Sequence, residues 1–213
     1  RRCFSLVHKM SERLERQRRQ NGVLGQNKGP IYWKGIELAP ITKCFMTEHP
    51  NVKDRAYKDD EQIRMKHAIH IFDDDDGKIP RPVDTLEELP FVEWMVDFLR
   101  WKSFKAPTAI QVQAWPAVLQ GHDLIGVAET GSGKTLAYVL PMITHILAQP
   151  HLQPGEGPIG LVLVPTRELC EQVASQIEEV IASHPVDEDE KVKCEVLSGG
   201  HGLAGHARQN KIL

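Results

Sequence analysis

The sequence has no apolar run approaching the roughly 18 to 20 residues that a membrane-spanning helix requires, so no membrane partner is expected. Cysteine is scarce: Cys3, Cys44, Cys170 and Cys194 stand far apart and form no CxxC pair. Neither a disulfide framework nor a zinc knuckle is indicated, and a reducing compartment is the default. No internal repeat is found. The chain starts at Arg1 without a methionine and stops at Leu213 just after a new segment begins, so we expect both ends to be cut. A large net charge is missing as well, since 26 Lys/Arg oppose 29 Asp/Glu for a formal −3. What remains, 41% hydrophobic and 26% charged residues, is the composition of an ordinary soluble globular protein of one domain plus an extension.

Near-neutrality hides an uneven layout. Residues 1–30 carry eight Lys/Arg against two Glu, a net +6, whereas residues 48–100 carry −6 and residues 101–213 carry −4. The Arg-rich, acid-sparing start suits a mitochondrial targeting segment, and that location is the expectation. Residues 11–20 then read as a short helix capped by Ser11 and stopped at Asn21-Gly22. Its clustered arginines suit either a solvated face or a contact to RNA or another acidic partner. Between 21 and 50, glycines and prolines punctuate short apolar patches without a sustained period, as in an extended segment lying on something else. Residues 67–71 read as strand-like. The four aspartates at 73–76 with Gly77 read as a solvated turn, because ligands from one short run cannot all point inward at a metal.

Beyond Pro80-Arg-Pro82 the pattern becomes regular. A helix is expected over residues 86–100, with Leu89, Val92, Val96 and Leu99 on one face. A second starts at Thr108 as N-cap and stops at Gly121. Then follow an apolar strand at 123–128, a helix at 133–147, a strand at 160–164, a helix at 167–183 and a strand at 192–197. Apolar strands alternating with helices are the pattern of an α/β fold, a parallel sheet with helices on both faces.

Between the first strand and its helix sits Ala128-Glu129-Thr130-Gly131-Ser132-Gly133-Lys134-Thr135. A phosphate chain needs several backbone N–H groups converging on it, which Gly131 and Gly133 permit, and the following helix turns its positive end to the same anion. Lys134 can then reach the β and γ phosphates and the Thr135 hydroxyl can ligate Mg²⁺. The strict phosphate-loop pattern has glycine where Ala128 stands, but strand before and helix after supply the required context. Upstream, Gln111 offers one donor and one acceptor, the complement of adenine N6 and N7, and Phe104 offers a stacking face. An adenine nucleotide is thus expected. Thr166 and Arg167 close the second strand, where an open parallel sheet binds ligands and where a phosphate finds a cation beside free N–H groups. A structural ion pair is the alternative for Arg167, and a plain turn is the alternative for Gly199-Gly200.

In order, Phe104-x-x-Pro-Thr-x-Ile-Gln111, Ala128-x-Thr-Gly-Ser-Gly-Lys-Thr135, Pro165-Thr-Arg-Glu-Leu169 and Gly199-Gly200 resemble the Q motif, motif I, motif Ia and the GG motif of DEAD-box ATP-dependent RNA helicases. His49-Pro50 and Pro80-Arg-Pro82 resemble the lead-in of the branch typified by the p-sixty-eight helicases, so the likeness covers about residues 48–213. It implies a RecA-like domain, ATP at Gln111 and the phosphate loop, and an RNA backbone across Pro165, Thr166, Arg167, Gly199 and Gly200. That branch also makes a nuclear location the alternative to the mitochondrial one. The layout becomes a basic, extended N-terminal segment over 1–47, a lead-in over 48–85 and a partial first RecA-like domain over 86–213.

Some positions depart from the family. Glutamine is usual where Glu129 stands, glycine where Ser103 stands, and the upstream aromatic aligns with Leu86, with Phe91 nearby as a substitute. Looser adenine packing is expected. A carboxylate beside a triphosphate is also repulsive unless a cation or hydrogen bond offsets it. No Asp-Glu-Ala-Asp occurs, and the acidic run at 187–190 precedes a strand instead of ending one, so it reads as a solvated loop. Without those acids and a second lobe, these 213 residues alone would bind ATP but hydrolyse it extremely slowly. Three strands are also too few to close a sheet over its helices. The gene product is therefore read as an RNA-remodelling ATPase, with ribosome or other ribonucleoprotein assembly as its expected setting. The alternative is a non-catalytic assembly factor docked in a larger ribonucleoprotein through its basic arm.

Overall fold

In the computed structural model, which describes residues 42–72, 79–150, 158–186 and 192–197, the helix expected over 86–100 is split at Pro90. Leu89, just before it, adopts φ −66° and ψ 131°, the extended geometry that a following proline imposes. A single 3-10 turn, Leu86–Glu88, precedes the break and helix α3, Glu93–Trp101, follows it. The buried face is consequently Met95, Val96, Phe98 and Leu99, while Val92 is 51% exposed. The other helices among the described residues are α1 (Pro50–Lys53), α2 (Tyr57–Lys66), α4 (Ala109–Leu119), α5 (Lys134–Leu147) and α6 (Arg167–Ala182). The last three match the sequence expectation. The basic arm with its expected helix, the four aspartates, the acidic run at 187–190 and Gly199-Gly200 lie outside the described residues.

Helix α2 was not expected, and the strand anticipated at 67–71 does not form. The chain leaves α2 through a left-handed residue, Ala68 at φ +51°, with Ala68 N–H on Met65 O (3.1 Å) and Ile69 N–H on Arg64 O (2.8 Å). Helices α3 and α4 end in the same paired-bond motif. In α3, Ser103 (φ +63°) donates to Arg100 O and Phe104 to Leu99 O; in α4, Gly121 (φ +84°) donates to Val118 O and His122 to Ala117 O. Only α4 uses glycine at the left-handed position, and there a second demand applies. A Cβ on Gly121 would lie 2.8 Å from the Lys43 carbonyl oxygen.

That close approach shows where residues 42–49 go. They have no regular structure and run along the ends of α4 and α5. Phe45 N–H donates to Leu119 O (2.7 Å), the Phe45 ring meets the His145 ring edge-on at 5.1 Å, and Gln149 reaches Thr42 O. Residues 42–49 thus lie on their own chain, whereas the earlier part of the extended segment expected over 21–50 falls outside the described residues. At its end His49 caps α1 through Nδ1, accepting the Asn51 N–H, with Pro50 at the first helical position.

The core sits among α3, α4, α5 and α6, around Met95, Leu99, Trp115, Val139, Leu140, Ile143 and Val180. Each such burial removes apolar area worth about 1.5–3 kcal/mol. Trp115 also donates its indole N–H to Leu136 O (3.1 Å), joining α4 to α5. Onto this core pack Val162, Val164, Val192 and Cys194 from the segments expected to be strands.

Those three segments, 123–128, 160–164 and 192–197, are not assembled into a ladder among the described residues. Burial still follows the period of two: Val162 and Val164 face the core, whereas Leu161 and Leu163 are 71% and 84% exposed. A Cβ on Gly160 would meet Met142 and Ile146 of α5, and one on Gly126 would meet Ile110 of α4, while Ile125 and Val127 are 86% and 92% exposed. Helices thus cover one face of these segments among the described residues, and the second helical layer expected from the sequence is not seen there.

Candidate nucleotide site

The loop Ala128 to Gly133 leads into α5, whose N-cap is Gly133. Gly131 and Gly133 take φ of +78° and +85°, where a side chain would be strained. For Gly131 the dihedral is the whole reason, since a Cβ there would have nothing within 4 Å. For Gly133 there is also no room: a Cβ would stand 2.6 Å from Gln111 Nε2 and 3.0 Å from Thr108 Oγ1.

Gln111 is the reason that space is filled. It is fully buried on the first turn of α4, its Oε1 accepting the Thr108 N–H (3.0 Å) and its Nε2 donating to Gly133 O (3.1 Å). The glutamine expected to read adenine is therefore clamped between its own helix cap and the phosphate loop. Each end of the amide keeps one further hydrogen-bonding position, though with Gln111 fully buried neither is open to solvent in this structure. Phe104 is partly buried against the core, held there by the left-handed turn at Ser103. The upstream substitute suggested by the sequence, Phe91, instead packs edge-on against Trp115 at 5.2 Å.

Lys134 turns back onto its own loop, donating to Ala128 O (2.6 Å) and to Glu129 O. It is the Glu129 carbonyl, not its carboxylate, that meets this ammonium; the Glu129 side chain is exposed and solvated. The Ser132 hydroxyl oxygen is buried without a hydrogen-bond partner among the described residues, a polar atom left for a ligand to satisfy. Thr135 shares a hydrogen bond with the Tyr138 hydroxyl, and burial pushes the Tyr138 phenol up despite that bond. A loop of left-handed glycines at a helix N-terminus, a cation and an orphaned hydroxyl fit a phosphate chain. For Mg²⁺ the fit is narrower. Thr135 offers one oxygen, and no cluster of three His, Cys, Asp or Glu side chains occurs among the described residues. The remaining coordination positions would fall to phosphate oxygens and water.

Thr166 and Arg167 lie where the sequence placed them, at the start of α6, with Thr166 Oγ1 accepting the Leu169 N–H (3.3 Å). Pro165 and Thr166 are exposed and Arg167 is half-buried. They form a cap rather than part of the Gln111–Gly133 cluster. Sequence reasoning missed the ionic cluster behind the site. Asp60, Arg64 and Glu88 are buried; Arg55 pairs with Glu88 and lies 3.5 Å from Asp60, and Arg81 lies 3.5 Å from Asp60. No motif flags it, because its members stand up to 33 positions apart in ordinary charged sequence.

Among known proteins, the family model described as DEAD/DEAH box helicase matches residues 108–210. ATP-dependent RNA helicase DBP2 of Chaetomium thermophilum is 48% identical over 154 residues, covering 72% of this chain and 27% of that protein. DBP2 of Gibberella zeae is 48% identical over 145 residues, covering 68% and 26%. Among solved structures, the yeast DEAD-box splicing factor Prp28 aligns with a TM-score of 0.54 at 31% identity over 62% of this chain and 31% of that one. The RNA helicase Prp28 from Chaetomium thermophilum, solved bound to ADP, aligns at 0.52 and 36% identity over 62% and 30%. These neighbours share the RecA-like fold expected from the sequence, and the chain spans about a quarter of the length of the curated relatives it matches.

Proposed function

Because this chain belongs to the DEAD-box helicases, we propose that the protein it represents is an ATP-dependent RNA helicase and that residues 104–135 are its adenine-nucleotide site. The observation that carries this reading is the Gln111 Nε2 to Gly133 O bond, which sets a base-reading amide directly against a phosphate-binding loop.

In that reading Lys134 exchanges its two loop carbonyls for the β and γ phosphate oxygens, and backbone N–H groups of the loop and the first turn of α5 donate to the same anion. Ser132 Oγ gains the partner it lacks. Gln111 uses its remaining donor and acceptor on adenine, so it bridges base and loop. Mg²⁺, held on the protein side by Thr135, would offset phosphate charge. Pro165, Thr166 and Arg167, together with Gly199 and Gly200, lie against the sugar-phosphate backbone, which makes RNA the partner without reading its sequence. Closure of a second lobe over bound ATP and RNA would bend one strand and melt a short duplex locally, with release after hydrolysis. Ribonucleoprotein remodelling is the corresponding cellular role. No observation favours the non-catalytic assembly factor.

The test is RNA-stimulated ATP hydrolysis and duplex separation by the full gene product. Both should be present in the natural protein and lost in Lys134→Ala; turnover that ignores RNA, or that survives the substitution, would remove the reading.

A further inference from the structure

Helix α4 carries two glutamines, and only one of them faces the nucleotide site. Gln111 and Gln113 are two residues apart, which is about 200° around a helix, so they point to opposite sides. Gln111 holds the phosphate loop. On the other side, Gln113 Nε2 donates to Pro80 O (2.8 Å) and Gln113 Oε1 accepts Nε–H of Arg64 (3.0 Å), while another arm of the same guanidinium reaches Pro80 O (3.2 Å). Arg64 is 4% exposed, so this fork is held out of water. A third link comes from the backbone. Pro116 sits inside α4 and has no N–H, which leaves the carbonyl four residues earlier, on Val112, without its helical partner. Val83 of the lead-in fills that vacancy, donating to Val112 O at 3.0 Å. The lead-in segment is therefore fastened to the back of the helix whose front holds Gln111.

From this we infer that Arg64 and Gln113 are positioning residues for base recognition, setting the placement of α4 and hence the adenine specificity of Gln111. The inference rests on the nucleotide reading above. Gln111 is caught between two fixed objects, the phosphate loop in front and the lead-in behind. A shift of α4 by a fraction of an ångström would leave the phosphate contacts made by α5 and its loop unchanged while misaligning the two hydrogen bonds that distinguish adenine.

The test measures binding of ADP, GDP and inorganic pyrophosphate to the full-length protein and to Gln113→Met, Arg64→Lys and Gln111→Ala. Gln113→Met keeps volume but removes donor and acceptor; Arg64→Lys keeps the charge but cannot bond both partners in the fork geometry. The expected result is that each lowers the preference for ADP over GDP by about five- to tenfold, in the range of ordinary site-to-site coupling, with pyrophosphate affinity unchanged in Gln113→Met and Arg64→Lys. A merely structural role would weaken all three ligands together and would overturn the inference. It is equally overturned if Gln111→Ala removes the preference while Gln113→Met and Arg64→Lys retain it. Should Gln111→Ala itself leave the preference intact, the adenine reading falls instead.

Discussion

Ser103 occupies a backbone position made for glycine, and the consequence can be measured. At φ +63° it is the left-handed residue that ends α3 and aims Phe104 into the core, fixed by the Ser103 N–H to Arg100 O bond (2.9 Å) and the Phe104 N–H to Leu99 O bond (3.0 Å). A side chain in that region costs roughly 1–2 kcal/mol. Glycine avoids the cost but loses roughly 0.5–1 kcal/mol through its freer unfolded chain. Ser103→Gly should therefore stabilise the protein by about 0.5–1 kcal/mol, equivalent to a melting shift of about 1–4 °C for a unit of this size. The assay is urea denaturation followed by tryptophan fluorescence, reading the midpoint at constant slope. Ser103→Val, with a branched Cβ, should move the midpoint the other way by a similar amount or more. An unchanged or lowered midpoint in Ser103→Gly would refute the assignment of strain to this residue. The family's usual glycine at this position would then need another explanation.

Other outcomes follow from the same geometry. Gly133→Ala places a methyl 2.6 Å from Gln111 Nε2 at φ +85°, so ADP affinity measured by calorimetry should fall at least about tenfold. Glu129→Gln removes an exposed negative charge beside the phosphates; ATP should bind about two- to fivefold tighter at low ionic strength, the gain shrinking as salt is added. At Asp84, burial pushes the carboxyl up, but hydrogen bonds from Lys66 (2.7 Å) and His67 (2.5 Å) outweigh it and hold the group below its ordinary value. With the folded value below the unfolded one, the stabilisation is complete above the unfolded value and is lost as pH falls through the folded one. The urea-midpoint gap between natural protein and Asp84→Asn should accordingly be widest near neutrality and close below about pH 4.

Helix boundaries were legible wherever the chain spells them in residues with one preferred geometry. Thr108 and Gly121 bound α4, and Gly133 opens α5, and each sits where the sequence put it. Helix α2 went unseen because Ala68 performs the task of glycine at its end and because its polar surface gives no apolar stripe. The break at Pro90 was written in the sequence but was overruled by a periodicity that ran across it. Strand segments were recognisable from their apolar alternation, yet a ladder is a property of neighbours, and one segment cannot announce whether its partners are beside it. For the site, two glycines and a lysine between an apolar segment and a helix are enough to suggest a phosphate loop. That Gln111 is fully buried and bonded to Gly133, and that Gln113 turns the other way to hold Arg64, depends on the angle between α4 and its surroundings, which no short motif encodes.

Titration of the protein with ATP and with GTP, alongside Lys134→Ala, addresses the central claim that residues 104–135 form an adenine-nucleotide site. Saturable ATP binding that exceeds GTP binding and is abolished by Lys134→Ala is the predicted result. Equal affinity for the two nucleotides, or ATP binding untouched by loss of the Lys134 ammonium, would contradict it.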